Sequence, residues 1–393
     1  MELIELTEYT SKHFSRDHIP QSLIDKLKQD YPKQIEINLK YTQTHDVWQL
    51  TAKGWIGHIP LTPNWQIILH PKVPLANLFG MLEYVYNFKT FKFLLGLTNS
   101  QSLAGFYSEL AFILAQGILN LYRKGFYRNY ISKTNQTSYI RGRLNVQKTL
   151  QKPWIIQPIC DYQDYSSDIP DNQILTWTIY CITRSGLCSE RVLPTVRKAH
   201  RTLQGLVSLQ PFKAADCLGR KYHRLNEDYQ PLHAICHFFL EHTAPSHKFG
   251  DRTMLPFLVD MARLYEQFVA AWLQRNPPQG FLFQSQYLIK IGQNRSFRID
   301  LMLCNRDTGK VKAVLDTKYK IPNKAADSDI YQMISYAKAT KCHHAFLVYP
   351  TDLKERLDIK IDDIQVRSLT FSLNENLNQA GQAFLYSLME LKP

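Results

Sequence analysis

Two apolar runs, Phe297-Arg298-Ile299-Asp300-Leu301-Met302-Leu303 and Ala313-Val314-Leu315-Asp316-Thr317-Lys318-Tyr319-Lys320, flank a polar gap, Asn305-Arg306-Asp307-Thr308-Gly309-Lys310. The gap is rich in turn formers, so the pattern predicts an antiparallel hairpin. Successive strand side chains point to opposite faces, which puts Asp316 and Lys318 on one face and Leu315 and Thr317 on the other. A hairpin centred on Thr308 sets Asp300 opposite Asp316. Upstream, Leu258, Met261, Tyr265, Phe268 and Trp272 recur at steps of three and four, which predicts an amphipathic helix from residue 258 with Glu266 at the border of its apolar stripe. Downstream, residues 329–337 predict a second helix. Its core positions are Ile330, Met333, Ile334 and Ala337, while Gln332 and Tyr336, four apart, share another face.

Elsewhere, short apolar or alternating runs at 35–39, 48–52 and 66–70 give residues 33–73 β character. Helical periodicity follows at 75–97 and 103–130, a strand or hairpin at 139–147, and a mainly helical stretch over 171–242 that includes 189–209. The polar loop 242–250, with Pro245 and Gly250, marks the expected boundary. Beyond it, strands at 344–349 and 364–373 and a helix at 379–389 close the chain. The expected class is α/β, or α+β overall: a β-plus-helical region over 1–245, then a core over 251–393 with a mixed sheet flanked by helices.

At 393 residues and 45% apolar content the chain can bury sizeable cores. Its seven cysteines form no Cys-x-x-Cys pair and read as reduced thiols; with an acidic amino terminus and no long uncharged apolar run, the expectation is a cytoplasmic protein. The net charge of +13 points toward an anionic partner, and residues 120–224 carry 17 Lys and Arg against 6 Asp and Glu. Within that stretch Arg123, Lys124, Arg128, Lys133, Arg141, Arg143 and Lys148 are interleaved with Tyr122, Phe126, Tyr127, Tyr130 and Tyr139. The mixture suits phosphate neutralisation and base stacking, a protein partner, or a solvated face. His233, His237, His242 and His247 crowd together, but no Cys or Asp completes a zinc set, and Phe238, Phe239 and Leu240 favour packing. No phosphate-binding Gly-x-x-x-x-Gly-Lys-Ser/Thr loop is present, so any nucleotide-driven step belongs to another subunit.

An Asp-x-Lys on a solvated strand is commonplace. Two opposed carboxylates among Ile, Leu, Val and Met are not, because they repel unless one is protonated or a cation lies between them. Carboxylate oxygens suit Mg²⁺ or Mn²⁺.

In order along the chain, a helix with Glu266, a strand with Asp300, a strand with Asp316-Thr317-Lys318 and a helix with Gln332-x-x-x-Tyr336 resemble the core of the PD-(D/E)XK nuclease superfamily. More narrowly the chain resembles the McrC family, the nuclease subunit of McrBC-type systems that restrict DNA carrying modified cytosines. Tyr265-Glu266, Arg298-Ile299-Asp300, the run from Leu315 to Lys320, the run from Tyr331 to Ala337, Ile140-Arg141-Gly142-Arg143-Leu144 and the segments Gly57-His58-Ile59-Pro60 and Ile68-Leu69-His70-Pro71-Lys72-Val73 carry that likeness. Ile299 stands where the superfamily name leads one to expect Pro. The resemblance implies a Mg²⁺-dependent endodeoxyribonuclease in which Asp300 and Asp316, assisted by Glu266, hold the metal and Lys318 stabilises the charge developing on the phosphate. Gln332 and Tyr336 would orient that phosphate or Lys318. It also implies double-stranded DNA as substrate and a McrB-like AAA+ GTPase hexamer as partner, stimulated through the amino-terminal region. Two other functions stay open at this point: a non-catalytic adaptor that activates a motor nucleotidase, and a stand-alone repair nuclease.

Overall fold

A computed structural model describes residues 2–41, 46–62, 64–86, 102–151, 154, 156–243, 255–291, 295–320 and 323–390. The chain divides into two compact units, Met1–Leu103 with Leu258–Pro393, and Ala104–Phe257. This differs from the division expected at 245–251, whose loop lies outside the described residues from 244 to 250. The physical reason is shared core: Leu258 packs into one apolar cluster with Ile4, Leu6, Leu50, Ile59 and Leu69, so the first hundred residues share their core with the later segment.

In the first piece of that unit, β1 (Glu2–Thr7), β2 (Ser11–Ser15), α1 (Gln21–Asp30), β3 (Ile35–Tyr41), β4 (Asp46–Ala52), β5 (Trp55–Thr62), β6 (Trp65–His70) and α2 (Leu75–Tyr86) follow in order. The predicted β segments fall in β3, β4 and β6. Alternation is clearest in β4, where Trp48, Leu50 and Ala52 are buried and the residues between them are half-buried. Strands β2, β4 and β3 make one small sheet, while β1 pairs in parallel with β6 and β6 antiparallel with β5 in another. The helix expected over 75–97 is described only as α2; residues 87–97 lie outside the described residues.

The second unit holds α3 (Leu103–Lys124), β7 (Asn129–Gln136), β8 (Arg143–Leu144), α4 (Val146–Leu150), β9 (Ile159–Ser166), α5 (Pro170–Ser185), α6 (Leu193–Gln204) and α7 (Tyr229–His242). By length and composition α3 could cross a membrane, although the sequence suggested no such run; half of its apolar window is buried here. Phe106 and Tyr107 pack edge-on against Phe238 and Phe239 of α7. The helix stops at Lys124 rather than near residue 130 because Gly125 turns the chain at φ 89° and β7 pairs with β9. The hairpin expected at 139–147 reduces to the two residues of β8, after which Asn145 caps α4 by accepting from the Lys148 N–H. The cysteines are all free, six of them buried.

The remaining piece of the first unit begins with β10 (Phe257–Asp260) and continues through α8 (Met261–Arg275), β11 (Phe281–Ile291), β12 (Arg295–Asn305), β13 (Val311–Thr317), α9 (Asp327–Thr340), β14 (His344–Tyr349), β15 (Asp358–Ile361), β16 (Ile364–Thr370) and α10 (Leu377–Met389). Here the helix expected from Leu258 is corrected. Residues 257–260 are a strand in the sheet ordered β1-β6-β5-β10, and Asp260 starts α8 by accepting from the Ala262 and Arg263 N–H groups. The helical stripe Met261, Tyr265, Phe268 and Trp272 is buried as expected. The large sheet runs β11-β12-β13-β14-β16-β15, antiparallel from β11 to β13, parallel from β13 through β14 to β16, and antiparallel again at β15. It is the mixed sheet of an α/β core. Met333, Tyr336 and Ala337 of α9 pack with Ile299, Val314, Ala345, Leu347 and Val366 of the sheet.

Candidate active site

The predicted hairpin is β12–β13. Its ladder reads Leu303↔Ala313, Met302↔Val314 and Leu301↔Leu315, so the next step places Asp300 against Asp316. Asp300 does not extend the ladder through its own main chain; its Oδ2 instead accepts from the N–H (3.1 Å) and hydroxyl (3.2 Å) of Thr317. On the other side of β12, the ladder with β11 pairs Ser285 with Leu301 and Tyr287 with Ile299 but skips Gln286, opposite Asp300. Gln286 has φ 55°, a conformation that side-chain-bearing residues avoid. The break turns its amide toward α8, where Gln286 donates to Glu266 and accepts from the Arg298 guanidinium. Such single-residue interruptions re-aim side chains at strand edges and functional sites.

Lys318 lies one residue beyond the end of β13. Its Nζ sits 2.6 Å from Asp316 Oδ2, 3.6 Å from Asp329 Oδ1, and donates to Gln332 Oε1 at 3.2 Å. Gln332 Nε2 in turn donates to the Tyr336 hydroxyl (2.6 Å), which donates to the Arg298 carbonyl (3.0 Å). The i, i+4 pair on α9 therefore forms a relay from Lys318 to the strand carrying Asp300. Tyr336 is buried against Phe297 rather than facing outward. All six residues singled out from the sequence, Glu266, Asp300, Asp316, Lys318, Gln332 and Tyr336, belong to this one constellation.

Burial, compounded by the Asp300 charge, pushes the Asp316 carboxyl up to about 6. Burial and the charge of Glu266 raise Asp300, and burial raises Glu266, with Arg298 opposing. For Lys318 burial works downward, but the surrounding carboxylates outweigh it and hold its ammonium above the ordinary range. Asp316 is only 3% exposed, and its Oδ2 lies 2.6 Å from the Lys318 ammonium. An all-oxygen set of buried carboxyls that raise one another's proton affinity fits a hard divalent cation. Among the described residues no three His, Cys, Asp or Glu side chains gather into a full protein cage. Two carboxylates are the number compatible with a cation such as Mg²⁺, which completes its shell with water and phosphate oxygens.

A family model for a 5-methylcytosine restriction system component, McrBC, matches residues 50–350. The chain belongs to the McrBC family. It is 21% identical over 325 residues to the Type IV methyl-directed restriction enzyme EcoKMcrBC of Escherichia coli (strain K12), an alignment covering 75% of this chain and 91% of that protein. Among solved structures it is similar over the whole of both chains, at TM-score 0.61 and 16% identity, to a chain of a half-complex from a tetradecameric assembly of Thermococcus gammatolerans McrB AAA+ hexamers with bound McrC. A cryo-EM structure of the Thermococcus gammatolerans McrBC complex matches over 71% of this chain and 89% of that chain at TM-score 0.45 and 18% identity.

In this McrBC-family chain Arg141 and Arg143 belong to the other compact unit. Arg141 donates to Asp164 at 2.8 Å and lies 4.2 Å over the Tyr162 ring, and Lys133 shares the same carboxylate. Arg143 is exposed, as are Tyr122, Tyr130 and Tyr139. Of the crowded histidines, His233 bonds the Tyr222 hydroxyl and the Asp171 carbonyl, His237 lies 3.4 Å from Glu241 and His242 packs on Phe238; His247 lies outside the described residues. Sequence reading did not assign three residues of this constellation. Asp329, at the start of α9, is buried and binds Lys318 and Lys320, the latter at 3.3 Å. Its position three residues before Gln332 was a usable signal. Arg298 stood in the run Arg298-Ile299-Asp300 but was given no role, and Gln286 carried no signal, because only the kinked ladder brings it to Glu266.

Proposed function

We propose that this chain is the nuclease of a modification-dependent restriction system, a Mg²⁺-dependent endodeoxyribonuclease that cuts double-stranded DNA containing modified cytosine. The observation that carries the reading is the meeting of Asp300, Asp316 and Lys318 on neighbouring strands, with both carboxyls held above their ordinary range by burial and by neighbouring carboxylates. Asp300 and Asp316 would hold the metal and Glu266 would assist; bound there, the cation supplies charge neutralisation at the phosphate and a more acidic water. Lys318, fixed by Asp316, Asp329 and Gln332, presents its ammonium to the phosphate oxygen on which negative charge grows. Tyr336 and Gln332 keep that ammonium from swinging away.

The partner in this reading is a McrB-like AAA+ GTPase hexamer in the cytoplasm, supported by the structural similarity to a chain seen with McrB and by the absence of a phosphate-binding loop here. Of the region 1–245 expected to engage it, residues 104–257 form the separate compact unit, and the exposed cations and tyrosines of 122–148 suit either the motor or DNA. The test is cleavage of methylated and unmethylated DNA by the chain together with the motor, GTP and Mg²⁺. Asp316→Ala is expected to abolish cutting while stimulation of GTP hydrolysis persists. Cutting by that variant at the wild-type rate would overturn the assignment.

A further inference from the structure

Beyond Thr317 the chain leaves the ladder, its last pairing in β13 being Thr317↔Val348; the Lys318 N–H still donates to the Val348 carbonyl, and the Lys318 carbonyl accepts from the Lys320 N–H. Bonding to β14 therefore ends at the Lys318 N–H, and the course of the chain just after it depends on other contacts. The next residue, Tyr319, is gripped twice by the amino terminus. Its hydroxyl donates to Glu8 Oε2 at 3.0 Å, and its carbonyl accepts from the Tyr9 hydroxyl at 3.1 Å. Glu8 Oε2 also accepts from the Lys72 N–H at 3.0 Å, and the Glu8 and Tyr9 N–H groups bond the His70 and Ala52 carbonyls. On the far side the Tyr319 ring packs tilted against Tyr265 of α8, one residue before Glu266.

Glu8 is fully buried, and its Oε1 has no partner. A buried carboxylate is a costly way to hold a tyrosine, since an apolar pair of the same volume would be cheaper. What the carboxylate adds is direction, because a hydrogen bond constrains angle where apolar contact does not. Tyr9 reinforces the point: it sits at φ 55°. We propose that Glu8 is a positioning residue for the nuclease site, acting through Tyr319 to set the exit of the segment that carries Asp316 and Lys318. The amino-terminal strand is then a working part of the catalytic unit.

The proposal rests on the nuclease reading, and a double-mutant cycle separates the two. In the chain with its motor, Tyr319→Phe removes the donor but keeps the ring, Glu8→Leu removes the acceptor, and Glu8→Gln keeps an acceptor without the charge. Tyr319→Phe and Glu8→Leu are each expected to lower kcat by about ten- to a hundredfold, as small misplacements of a reacting group do, with KM little changed. The double variant should lose no more than either single, and Glu8→Gln should recover most of the rate lost in Glu8→Leu. Wild-type kcat in a Tyr319→Phe protein that melts normally would overturn the proposal, as would additive losses in the cycle. If Glu8→Leu fails to fold, the comparison of Tyr319→Phe with wild type decides alone. A wild type that does not cut in the presence of Mg²⁺ refutes the nuclease reading itself.

Discussion

The Glu8 carboxyl makes a quantitative demand on stability. Burial raises it from 4.5 to about 7, against the opposing pull of the Lys72 N–H and the Tyr319 hydroxyl. Between those values the unfolded chain gives up its proton while the folded chain keeps it, so folding stability falls as pH rises, by about 1.4 kcal/mol per pH unit for this one group. The contribution is fully present below pH 4.5 and fully lost once pH has risen through about 7. Over that window the loss totals about 3 kcal/mol. Glu8→Gln cannot ionise, yet keeps an oxygen to accept from Tyr319 and Lys72. Its stability relative to wild type should climb by the same amount from pH 4.5 to 7.5 and then level off. For a unit of this size that is roughly 6–12 °C in unfolding temperature. Thermal unfolding of both proteins across that range, followed by near-ultraviolet circular dichroism, reads the difference directly. Other groups that titrate in the window, Asp316 among them, cancel in the subtraction. A difference that stays flat with pH would mean that Glu8 is not a buried, protonatable carboxyl, and the reasoning would fail.

Removing the lysine cation should be costly in two ways: Lys318→Met leaves Asp316 and Asp329 buried without their shared charge, so it should lower stability by about 3 kcal/mol and eliminate cleavage, checked by thermal unfolding and single-turnover assay. Gly54 sits at φ 50°, and a Cβ there would run into the Tyr9 hydroxyl, so Gly54→Ala should cost about 1–3 kcal/mol and lower the cleavage rate through Tyr319, where Gly205→Ala, with open space around it, should not. Replacing Arg141 and Arg143 together by Gln should flatten the salt dependence of DNA binding by a slope of about one for each phosphate no longer neutralised. An unchanged slope with weaker stimulation of the motor would instead assign these arginines to the protein partner.

The legible parts of this molecule were those written in local periodicity. The alternation around Asp300 and Asp316, with the turn-forming gap between them, was enough to place the hairpin register, and the four-residue spacing of Gln332 and Tyr336 was enough to place them together on α9. Where three- and four-residue steps ran on into a strand, the reading failed: Leu258 fits a helical stripe by spacing, but Asp260 caps the helix after it, and local pattern does not reveal that β5 waits to pair with residues 257–260. The eleven residues of β11 gave no clear signal, because Gln284, Ser285 and Gln286 interrupt the apolar run. The clamp on Tyr319 was out of reach for the same reason as the compact units: each depends on residues about 250 or more positions apart meeting in space, which no window of sequence contains.

The discontinuity of the first unit also sets a timetable. Residues 1–103 emerge first from the ribosome, but their apolar cluster includes Leu258, which follows after the whole of the intervening unit has been made. At ordinary elongation rates that is a delay on the order of 10–30 s, during which the intervening unit can fold by itself while Ile4, Leu6 and their neighbours wait for their last partner. Tyr319 comes later still, so Glu8 cannot engage it until about 310 further residues have been made. The candidate site therefore draws on residues made far apart in time, from Glu8 to Tyr336.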